Sequence, residues 1–479
     1  MSADLAPSSA QLSRPGRSRN PIGGSLLGIA LAIPASVWLW GFTVDDALIS
    51  ARVAAHCAQG LGPRFNPYGP VTDAVTPLGY ARLLSSFGEL DVLRTLLAAK
   101  WLGLLAWLTS AGLLGALVTR VGRRWQRFTP LSLLALNAPL AAWAVSGMET
   151  GLVTLLTTLG LRDGLPGAFS LGLACAWRPE LAPFCVILVG VRAFATRSVP
   201  ATALSRLALF AVPPAVVAIA RVHEFGRAVP LSFYAKPSDF GHGLRYALGA
   251  FAFTGLPWLV LPTPRECARL PRAARALFAA LCAHFLALVL CGGDWMALYR
   301  LAVPVLPCAV LAASHVAEKA RLIWSALRFA FALVSSLVLA LGLGPRARRV
   351  GADRAQLIAA ARPVFAHDAR IAALDVGWVG SACDAEIIDL AGVTDPEVAF
   401  FPGGHTSKRI PSTWLFARRP TAIVLLLTDG VVREPFDKSW FSRAVEERTA
   451  HLVASEFKVR TTLTMGDGQK YVVLEPRSR

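Results

Sequence analysis

Residues 92–118 read VLRTLLAAKWLGLLAWLTSAGLLGALV, with no charged residue after Lys100. A helix needs about 20 predominantly apolar residues to cross the hydrocarbon of a bilayer, so this run predicts a membrane span. Further apolar runs lie at 22–41, 129–146, 150–161, 166–177, 181–195, 204–221, 246–262, 276–291, 301–316 and 322–344. We therefore predict a polytopic α-helical membrane protein with about eleven transmembrane helices.

The composition of the whole chain agrees with a membrane protein. Hydrophobic residues make up 54% of the 479 residues and charged residues 16%, whereas soluble domains carry about 25% charged residues. The net charge of +18 would suggest nucleic acid in a soluble protein. Here the basic residues lie mainly between the apolar runs, so membrane topology explains them better. We expect a lipid bilayer as the surroundings and no nucleic-acid partner.

The distribution of charge predicts an orientation. Cytoplasmic loops of membrane proteins carry an excess of Lys and Arg. With residues 1–21 as a disordered cytoplasmic tail and 22–41 as an uncleaved first span, basic loops alternate with acidic loops along the chain. This alternation requires that 166–195 form two crossings, interrupted near Pro179. The transmembrane domain is then 22–345, and its long first extracytoplasmic loop is 42–90.

The last part of the chain has a different pattern. Short apolar runs at 371–376, 386–390, 422–427 and 470–474 are bounded by Gly, Asp or Pro, which is typical of buried strands. Residues 437–448 resemble a helix. We predict a soluble α/β domain at 346–479 on the extracytoplasmic side.

Asp45 and Asp46 are adjacent carboxylates directly after the first predicted span. Ionisable groups at a membrane boundary are often functional. One carboxylate could act as a general base toward a hydroxyl group, and the other could orient a metal ion or sugar hydroxyls. The structural alternative is that both acids flank the start of a helix, where the helix dipole favours them.

Three further extracytoplasmic segments carry candidate site residues. Glu149 needs a cationic partner at membrane depth, and Arg178 with Glu180 offers one; a structural ion pair is an equal alternative. Lys236 and Arg227 could bind a phosphate or lipid headgroups, and His223 could be a ligand or a proton carrier. Asp294 and Arg300 flank a helix break and suit either a polar substrate or an interfacial ion pair.

These segments occur in an order that resembles a known family. The matching segments are DDALIS (45–50), NP (66–67), TPL (76–78), SGMET (146–150), RPE (178–180), FYAK (233–236), GGDWM (292–296), PVLP (304–307), DVG (375–377) and IDLAGVTDP (388–396). The chain resembles the GT-C superfamily of membrane glycosyltransferases. It is most similar to the mycobacterial-type arabinofuranosyltransferases that add terminal β-linked arabinofuranose, together with their bacterial relatives.

The resemblance implies an inverting glycosyltransferase of the bacterial plasma membrane. Its donor would be a polyprenyl-phosphate sugar, with decaprenyl-phosphoryl-arabinofuranose as the best candidate, and its acceptor a cell-envelope glycan on the extracytoplasmic face. Asp45 is then expected as the base, and Asp46 would hold the acceptor or a divalent cation. Lys236, Arg227, Arg300 and Tyr234 are expected around the donor phosphate.

Two other classes of protein compete with the glycosyltransferase hypothesis. A lipid or glycan transporter would have inverted repeats and ionisable groups near the bilayer midplane, and we find no internal repeat. A non-catalytic membrane scaffold could retain the fold without the chemistry. The enzyme hypothesis alone predicts that Asp45, Glu149, Lys236 and Asp294 converge on one cavity with a lateral opening to lipid.

Overall fold

The computed structural model describes residues 20–121, 124–195, 200–404, 408–427, 455–466 and 468–477. The predicted N-terminal tail lies outside the described residues, apart from its last two positions. The predicted helix at 437–448 also lies outside them.

Helices make up most of the described chain. In chain order they are α1 (Pro21–Trp38), α2 (Asp45–Ala58), α3 (Tyr80–Ser85), α4 (Val92–Val118), α5 (Arg124–Ser132), α6 (Ala138–Ala144), α7 (Thr150–Gly160), α8 (Leu165–Trp177), α9 (Ala182–Ala195), α10 (Pro200–Phe225), α11 (Leu231–Ala235), α12 (Phe240–Phe253), α13 (Pro264–Arg269), α14 (Arg272–Leu290), α15 (Leu306–Lys319), α16 (Leu322–Ala347), α17 (Val350–Phe365), α18 (Val376–Ala382), α19 (Pro396–Ala399) and α20 (Ser412–Ala417). Short 3-10 helices occupy Leu133–Leu136, Pro179–Leu181, Leu256–Val260 and Ala297–Val305.

Six helical stretches in the described residues are long and apolar enough to cross a membrane. They are Pro21–Trp38, Val92–Val118, Pro200–Phe225, Arg272–Leu290, Ala297–Glu318 and Leu322–Phe365. The prediction of a helical membrane protein is confirmed at this level. Eleven crossings remain a prediction, because α7, α8 and α9 have only 11, 13 and 14 residues, fewer than the roughly 20 that a straight span needs.

The run 166–195 forms two helices, as the alternation of charge requires. At the end of α9, Arg192 donates to the carbonyl of Leu161 at 2.8 Å and pairs with Asp163 at 3.2 Å, just before α8 begins. The end of α9 therefore lies beside the start of α8, and the two helices are antiparallel. The chain reverses at Arg178 and the 3-10 turn Pro179–Leu181.

The first and fourth helices pack closely through glycine. A Cβ atom on Gly28 of α1 would collide with the carbonyl of Ala111 in α4, and one on Gly115 of α4 would collide with the carbonyl of Gly24. Small residues at a helix interface let the backbones approach and pack, which is a main source of stability between helices in lipid. This contact holds α1 against α4.

The C-terminal region forms a five-stranded sheet in the order β2-β1-β3-β5-β4. The strands are β1 (Arg370–Ala373), β2 (Glu386–Asp389), β3 (Ala422–Leu426), β4 (Phe457–Thr464) and β5 (Lys470–Pro476). β1 is parallel to β2 and β3, whereas β5 runs antiparallel to β3 and β4. Four strands match predicted runs. We did not predict β4, because it is an edge strand with mostly polar, partly exposed residues.

The sheet shares its core with the helical part of the molecule. Ile371 and Ala373 pack in one buried cluster with α17, α18 and residues of α2 such as Val53. Ala372 points to the opposite face and packs in a second cluster with Leu415. This alternation is the period-two geometry of a strand, and it places α18 between the sheet and α2.

Candidate functional site

A cavity of about 370 Å³ lies where the ends of several helices meet. It is lined by charged side chains from five separate stretches of the chain: Asp46, Glu149, Arg178, Glu180, Lys236, Asp294 and Arg300. Its apolar walls include Ile49, Met148, Phe233 and Leu301. We refer to it as the Asp46 cavity.

Asp46 lies between two cations in this cavity. It belongs to the first turn of α2, and its Oδ2 is 3.6 Å from Lys236 Nζ and 3.9 Å from Arg300 Nη1. The Asp46 side chain is 25% exposed. The carboxylate is therefore accessible from the cavity and is stabilised by positive charge on two sides.

Arg300 is fixed by an unusual backbone segment. Its Nε donates to Asp294 Oδ2 at 2.8 Å, and its guanidinium lies 5.6 Å from the ring centre of Trp143. The preceding residues Leu298 and Tyr299 have φ values of 60° and 52°, a left-handed conformation that is strained for residues with a Cβ. Trp143 supports this turn by donating from Nε1 to the carbonyl of Leu298 at 3.1 Å.

Asp294 follows two glycines, and the backbone conformation at both positions favours glycine. Gly292 and Gly293 both have positive φ, and a Cβ on Gly293 would lie 2.6 Å from the Tyr246 side chain. Asp294 Oδ1 accepts from the amide of Trp295 at 2.9 Å. Burial would raise the pKa of Asp294, but the positive charges of Arg300 and its neighbours outweigh burial and hold the pKa below its ordinary value. Asp294 is therefore an anion at neutral pH.

A second group of charged side chains also lines the cavity. Arg178 Nη2 lies 2.6 Å from Glu149 Oε1, and Arg178 Nη1 lies 3.4 Å from Glu180 Oε1. The Glu149 side chain is 1% exposed, and its Oε2 has no hydrogen-bond partner among the described residues. A buried carboxylate oxygen without a donor is uncommon, so Glu149 keeps unused acceptor capacity in the wall of this cavity.

Asp45 does not line the Asp46 cavity. Its carboxylate accepts three hydrogen bonds, from Arg354 Nη1 at 2.9 Å, the amide of Gly377 at 2.7 Å and the amide of Trp378 at 2.9 Å. All three donors belong to the C-terminal part of the chain. The geometry therefore favours Asp46 over Asp45 as the carboxylate available to a substrate, and gives Asp45 the role of joining α2 to α18.

Three other predicted site residues also lie outside the cavity lining. Arg227 lies over the ring of Phe400 at 5.5 Å, and the Tyr234 ring is 4.8 Å from the same ring. His223 is exposed near the end of α10. Arg227 and Tyr234 instead connect the segment that carries Lys236 to α19 and its neighbours, so they hold the wall of the cavity.

The residues of the site do not fit a divalent cation. Asp46 faces two positive charges, and Asp45 points away from it toward Gly377. Divalent cations prefer several converging carboxylate or carbonyl oxygens. Among the described residues, no group of three or more His, Cys, Asp or Glu side chains could hold a metal ion. We assign no role to a metal.

Sequence patterns did not single out every residue of the site. Ser50, Thr76 and Val393 line the cavity, and Thr76 Oγ1 lies 2.9 Å from Ser232 Oγ. Ser50, Thr76 and Val393 lie inside the matched segments 45–50, 76–78 and 388–396, so a signal for them was present. No sequence signal indicated Arg354, because it is 309 positions from the Asp45 carboxylate that it contacts.

One family model matches part of the chain. Residues 348–474 match a family model described as a domain of unknown function, DUF8728. The match covers α17, α18 and most of the sheet, and it spans less than half of the chain. No curated protein and no solved structure matches the chain.

Proposed function

We propose that this chain is an inverting glycosyltransferase that moves a sugar from a polyprenyl-phosphate donor to a glycan hydroxyl. The observation that carries the proposal is that charged residues from distant segments line the same cavity. Five segments that resemble motifs of the GT-C superfamily contribute Asp46, Glu149, Arg178, Lys236 and Asp294 to one cavity. The sequence analysis predicted that Asp45, Glu149, Lys236 and Asp294 would line one cavity. Asp46 lines it in place of Asp45.

The charges around Asp46 suit the proposed displacement. Asp46 accepts the proton of the acceptor hydroxyl while the acceptor oxygen forms a bond to the anomeric carbon. The bond between that carbon and the phosphate oxygen breaks, and the phosphate leaves with the bonding electrons. Lys236 and Arg300, which lie within 4 Å of Asp46, stabilise the negative charge of the leaving phosphate. Attack opposite the leaving group inverts the anomeric centre.

Glu149 and Glu180 supply contacts to the hydroxyl groups of a sugar. Carboxylates accept hydrogen bonds from hydroxyls, and Glu149 Oε2 has no donor among the described residues. Arg178 holds both carboxylates in place. A sugar bound in the cavity would have its phosphate near Lys236 and its hydroxyls near Glu149.

The outer rim of the cavity supports a lipid-linked donor. Phe233 lines the cavity and is 68% exposed, and Leu290, at the end of α14 beside it, is 60% exposed. Exposed apolar side chains next to a charged cavity are expected where an isoprenoid chain leaves the site and enters the bilayer. From the resemblance we take the arabinofuranosyl donor as the first substrate and the extracytoplasmic face of a bacterial plasma membrane as the location.

The experiment is sugar transfer by the purified full-length protein in lipid. A panel of polyprenyl-phosphate sugars, beginning with the arabinofuranosyl donor, is offered with an oligosaccharide acceptor. Asp46→Asn should lower kcat by about 10²- to 10⁴-fold, the contribution of a general base, and should leave the unfolding temperature close to wild type. Asp45→Asn is the matched control, which should lower the unfolding temperature and keep more activity than Asp46→Asn.

Two outcomes would contradict parts of the proposal. Full activity in Asp46→Asn, with activity lost in a well-folded Asp45→Asn, would return the role of base to Asp45. An absence of transfer from every donor by a folded wild-type protein would overturn the enzyme hypothesis and favour the scaffold or transporter hypotheses.

A further inference from the structure

Two hydroxyl groups in the wall of the Asp46 cavity have no role in the transfer described above. Thr76 lies in the loop between α2 and α3, and Ser232 lies in α11. Both residues line the cavity, and Thr76 Oγ1 is 2.9 Å from Ser232 Oγ. We refer to these two side chains as the hydroxyl pair.

The hydroxyl pair carries one hydrogen more than its own contact uses. Each hydroxyl has one donor hydrogen and can also accept hydrogen bonds. The bond between Thr76 and Ser232 uses one of the two hydrogens, and either oxygen can be the donor. Within the described part of the chain, neither hydroxyl makes another hydrogen bond. The second hydrogen can therefore be donated to an acceptor atom of a ligand in the cavity.

The hydroxyl pair lies beside the cation that is expected to contact the donor phosphate. The amide of Lys236 donates to the carbonyl of Ser232 at 3.0 Å, so the two residues are one helical turn apart. Residues four apart in a helix lie on the same face, and both of these side chains line the cavity. A phosphate that contacts Lys236 therefore lies next to the hydroxyl pair.

The charged groups around this position balance one another. Lys236 and Arg300 both face Asp46, and Arg300 is also paired with Asp294. Two cations and two carboxylates leave no surplus of positive charge for an incoming phosphate. A hydroxyl that donates to a charged oxygen forms a stronger hydrogen bond than one between neutral groups. The hydroxyl pair can thus add to phosphate binding without another buried cation.

The rim of the cavity favours a phosphate, rather than a sugar hydroxyl, as the partner of the hydroxyl pair. Phe233 directly follows Ser232, lines the cavity and is 68% exposed. In the proposed function the isoprenoid chain leaves the site past Phe233. The phosphate is the group attached to that chain, so it is the part of the donor that comes next to Ser232.

A buried ion pair holds Thr76 in place. The side chains of Asp73 and Arg221 are 3% and 2% exposed and are paired with each other. Arg221, which belongs to α10, also donates from Nη2 to the carbonyl of Thr76. A guanidinium can hold a carboxylate and a carbonyl at once through its rigid fork, whereas a lysine ammonium is a single point charge. The ion pair therefore fixes the loop that carries Thr76.

We propose that Thr76 and Ser232 form a second part of the donor-phosphate site, in which the hydroxyl pair donates its second hydrogen to a phosphate oxygen while Lys236 contacts the same phosphate. Arg221 and Asp73 are positioning residues that act through Thr76. This inference rests on the proposed lipid-linked donor, but its test measures binding alone and requires no sugar transfer.

The test measures the binding of an isoprenoid phosphate to the full-length protein in lipid nanodiscs. Titration calorimetry compares farnesyl phosphate with farnesol, which has the same chain and no phosphate, and with inorganic phosphate. Wild type should bind farnesyl phosphate most tightly. The double variant Thr76→Val with Ser232→Ala should bind it about 10- to 100-fold more weakly, because a hydrogen bond to a charged group is lost. Its unfolding temperature should stay close to wild type, because neither hydroxyl is left without its partner.

The matched control removes a hydroxyl pair elsewhere in the bundle. Ser110 Oγ and Thr158 Oγ1 are 2.6 Å apart, and both residues are buried and do not line the Asp46 cavity. Ser110→Ala with Thr158→Val deletes the same two groups as the test variant. It should bind farnesyl phosphate with the affinity of wild type.

A further comparison tests the positioning role of Arg221. Arg221→Lys keeps a positive charge beside Asp73 but cannot hold the Thr76 carbonyl at the same time. It should weaken the binding of farnesyl phosphate in the wild-type background. In the background that lacks the hydroxyl pair, it should cause no further loss, because Arg221 acts through Thr76. Equal losses in the two backgrounds would contradict the positioning role.

Three results would overturn the inference. Equal affinity of the double variant and wild type for farnesyl phosphate would exclude the hydroxyl pair from the site. Equal affinity of wild type for farnesol would exclude recognition of the phosphate, and equal affinity for inorganic phosphate would assign the site to a free phosphate compound. By contrast, binding of farnesyl phosphate that depends on the hydroxyl pair, without sugar transfer from any donor, would support this inference and contradict the enzyme proposal alone.

Discussion

Asp45 and Asp46 are consecutive residues of one helix, and their carboxylates have different partners. Successive side chains on an α-helix point about 100° apart, so the first turn of α2 directs them into different surroundings. Asp45 meets the amides of α18, and Asp46 meets Lys236 and Arg300. Asp45 therefore links α2 to α18, whereas Asp46, at the next position in the chain, is the candidate catalytic group.

The ion pair of Arg178 and Glu149 gives a prediction at the same scale. Arg178→Met should lower the free energy of unfolding by about 3–5 kcal/mol, because it leaves a buried carboxylate without its cation. Denaturant or thermal unfolding in detergent measures the loss. The double variant Arg178→Met with Glu149→Gln should recover part of it, because the uncompensated charge is gone.

The control for this prediction is Arg94→Met. Arg94 also faces an acid, Asp91, but both side chains are largely exposed, and such pairs contribute about 0–1 kcal/mol. Similar losses in the two variants would mean that the pair of Arg178 and Glu149 is solvated rather than buried.

At the scale of elements, α18 and α2 form the contact that joins the two parts of the molecule. Gly377 lies at the start of α18, and a Cβ there would collide with the backbone carbonyl and the carboxylate of Asp45. Glycine at this position lets the helix start approach closely enough for its amides to reach Asp45. The amide groups of a helix start that have no partner within the helix are thereby satisfied.

Gly377→Ala should separate α18 from α2. Overpacking of a tight contact typically costs about 1–3 kcal/mol, so the amides of Gly377 and Trp378 should exchange with solvent about tenfold faster or more. Hydrogen exchange with mass spectrometry on the peptide that contains α18 gives the measurement.

Gly190→Ala serves as the comparison for this change. A Cβ on Gly190 meets no atom within 4 Å, so exchange in α18 should stay at the wild-type rate. Unchanged exchange in Gly377→Ala as well would mean that α18 and α2 tolerate a wider spacing than the structure has.

At the scale of the whole molecule, the C-terminal domain takes part in building the Asp46 cavity. Val393 lines the cavity directly. Lys408 donates from Nζ to the carbonyls of Ala399 at 2.9 Å and Tyr234 at 3.5 Å, which ties the segment before Lys236 to α19. The sheet and the helical bundle also share one buried cluster. The site is therefore a product of both parts of the chain.

Asp45 and Arg354, which connect these two parts of the molecule, should show energetic coupling. In a double-mutant cycle, Asp45→Asn and Arg354→Gln should together cost less than the sum of the single changes, with a coupling energy of about 0.5–3 kcal/mol. The exposed pair Arg370 and Glu386 is the reference cycle, expected near zero to 1 kcal/mol. Additive losses at Asp45 and Arg354 would contradict a direct contact between them.

The sequence by itself determined the helical membrane class, four of the five strands and the segments that form the cavity. Apolar runs report helices and buried strands directly, because burial in lipid or in a core selects side chains locally. Seven of the eleven predicted site residues line the cavity. The sequence could identify them for a related reason. Charged residues at the ends of apolar runs are costly to retain, and they were therefore visible in the sequence.

The tertiary structure alone decided how those residues are used. It turned Asp45 toward α18 and Asp46 toward Lys236, because the direction of each side chain depends on how α2 packs against elements more than 300 positions away. It brought Arg354 to the Asp45 carboxylate across 309 positions of the chain. Contacts between distant segments leave no local pattern of composition, so only the packed molecule defines them.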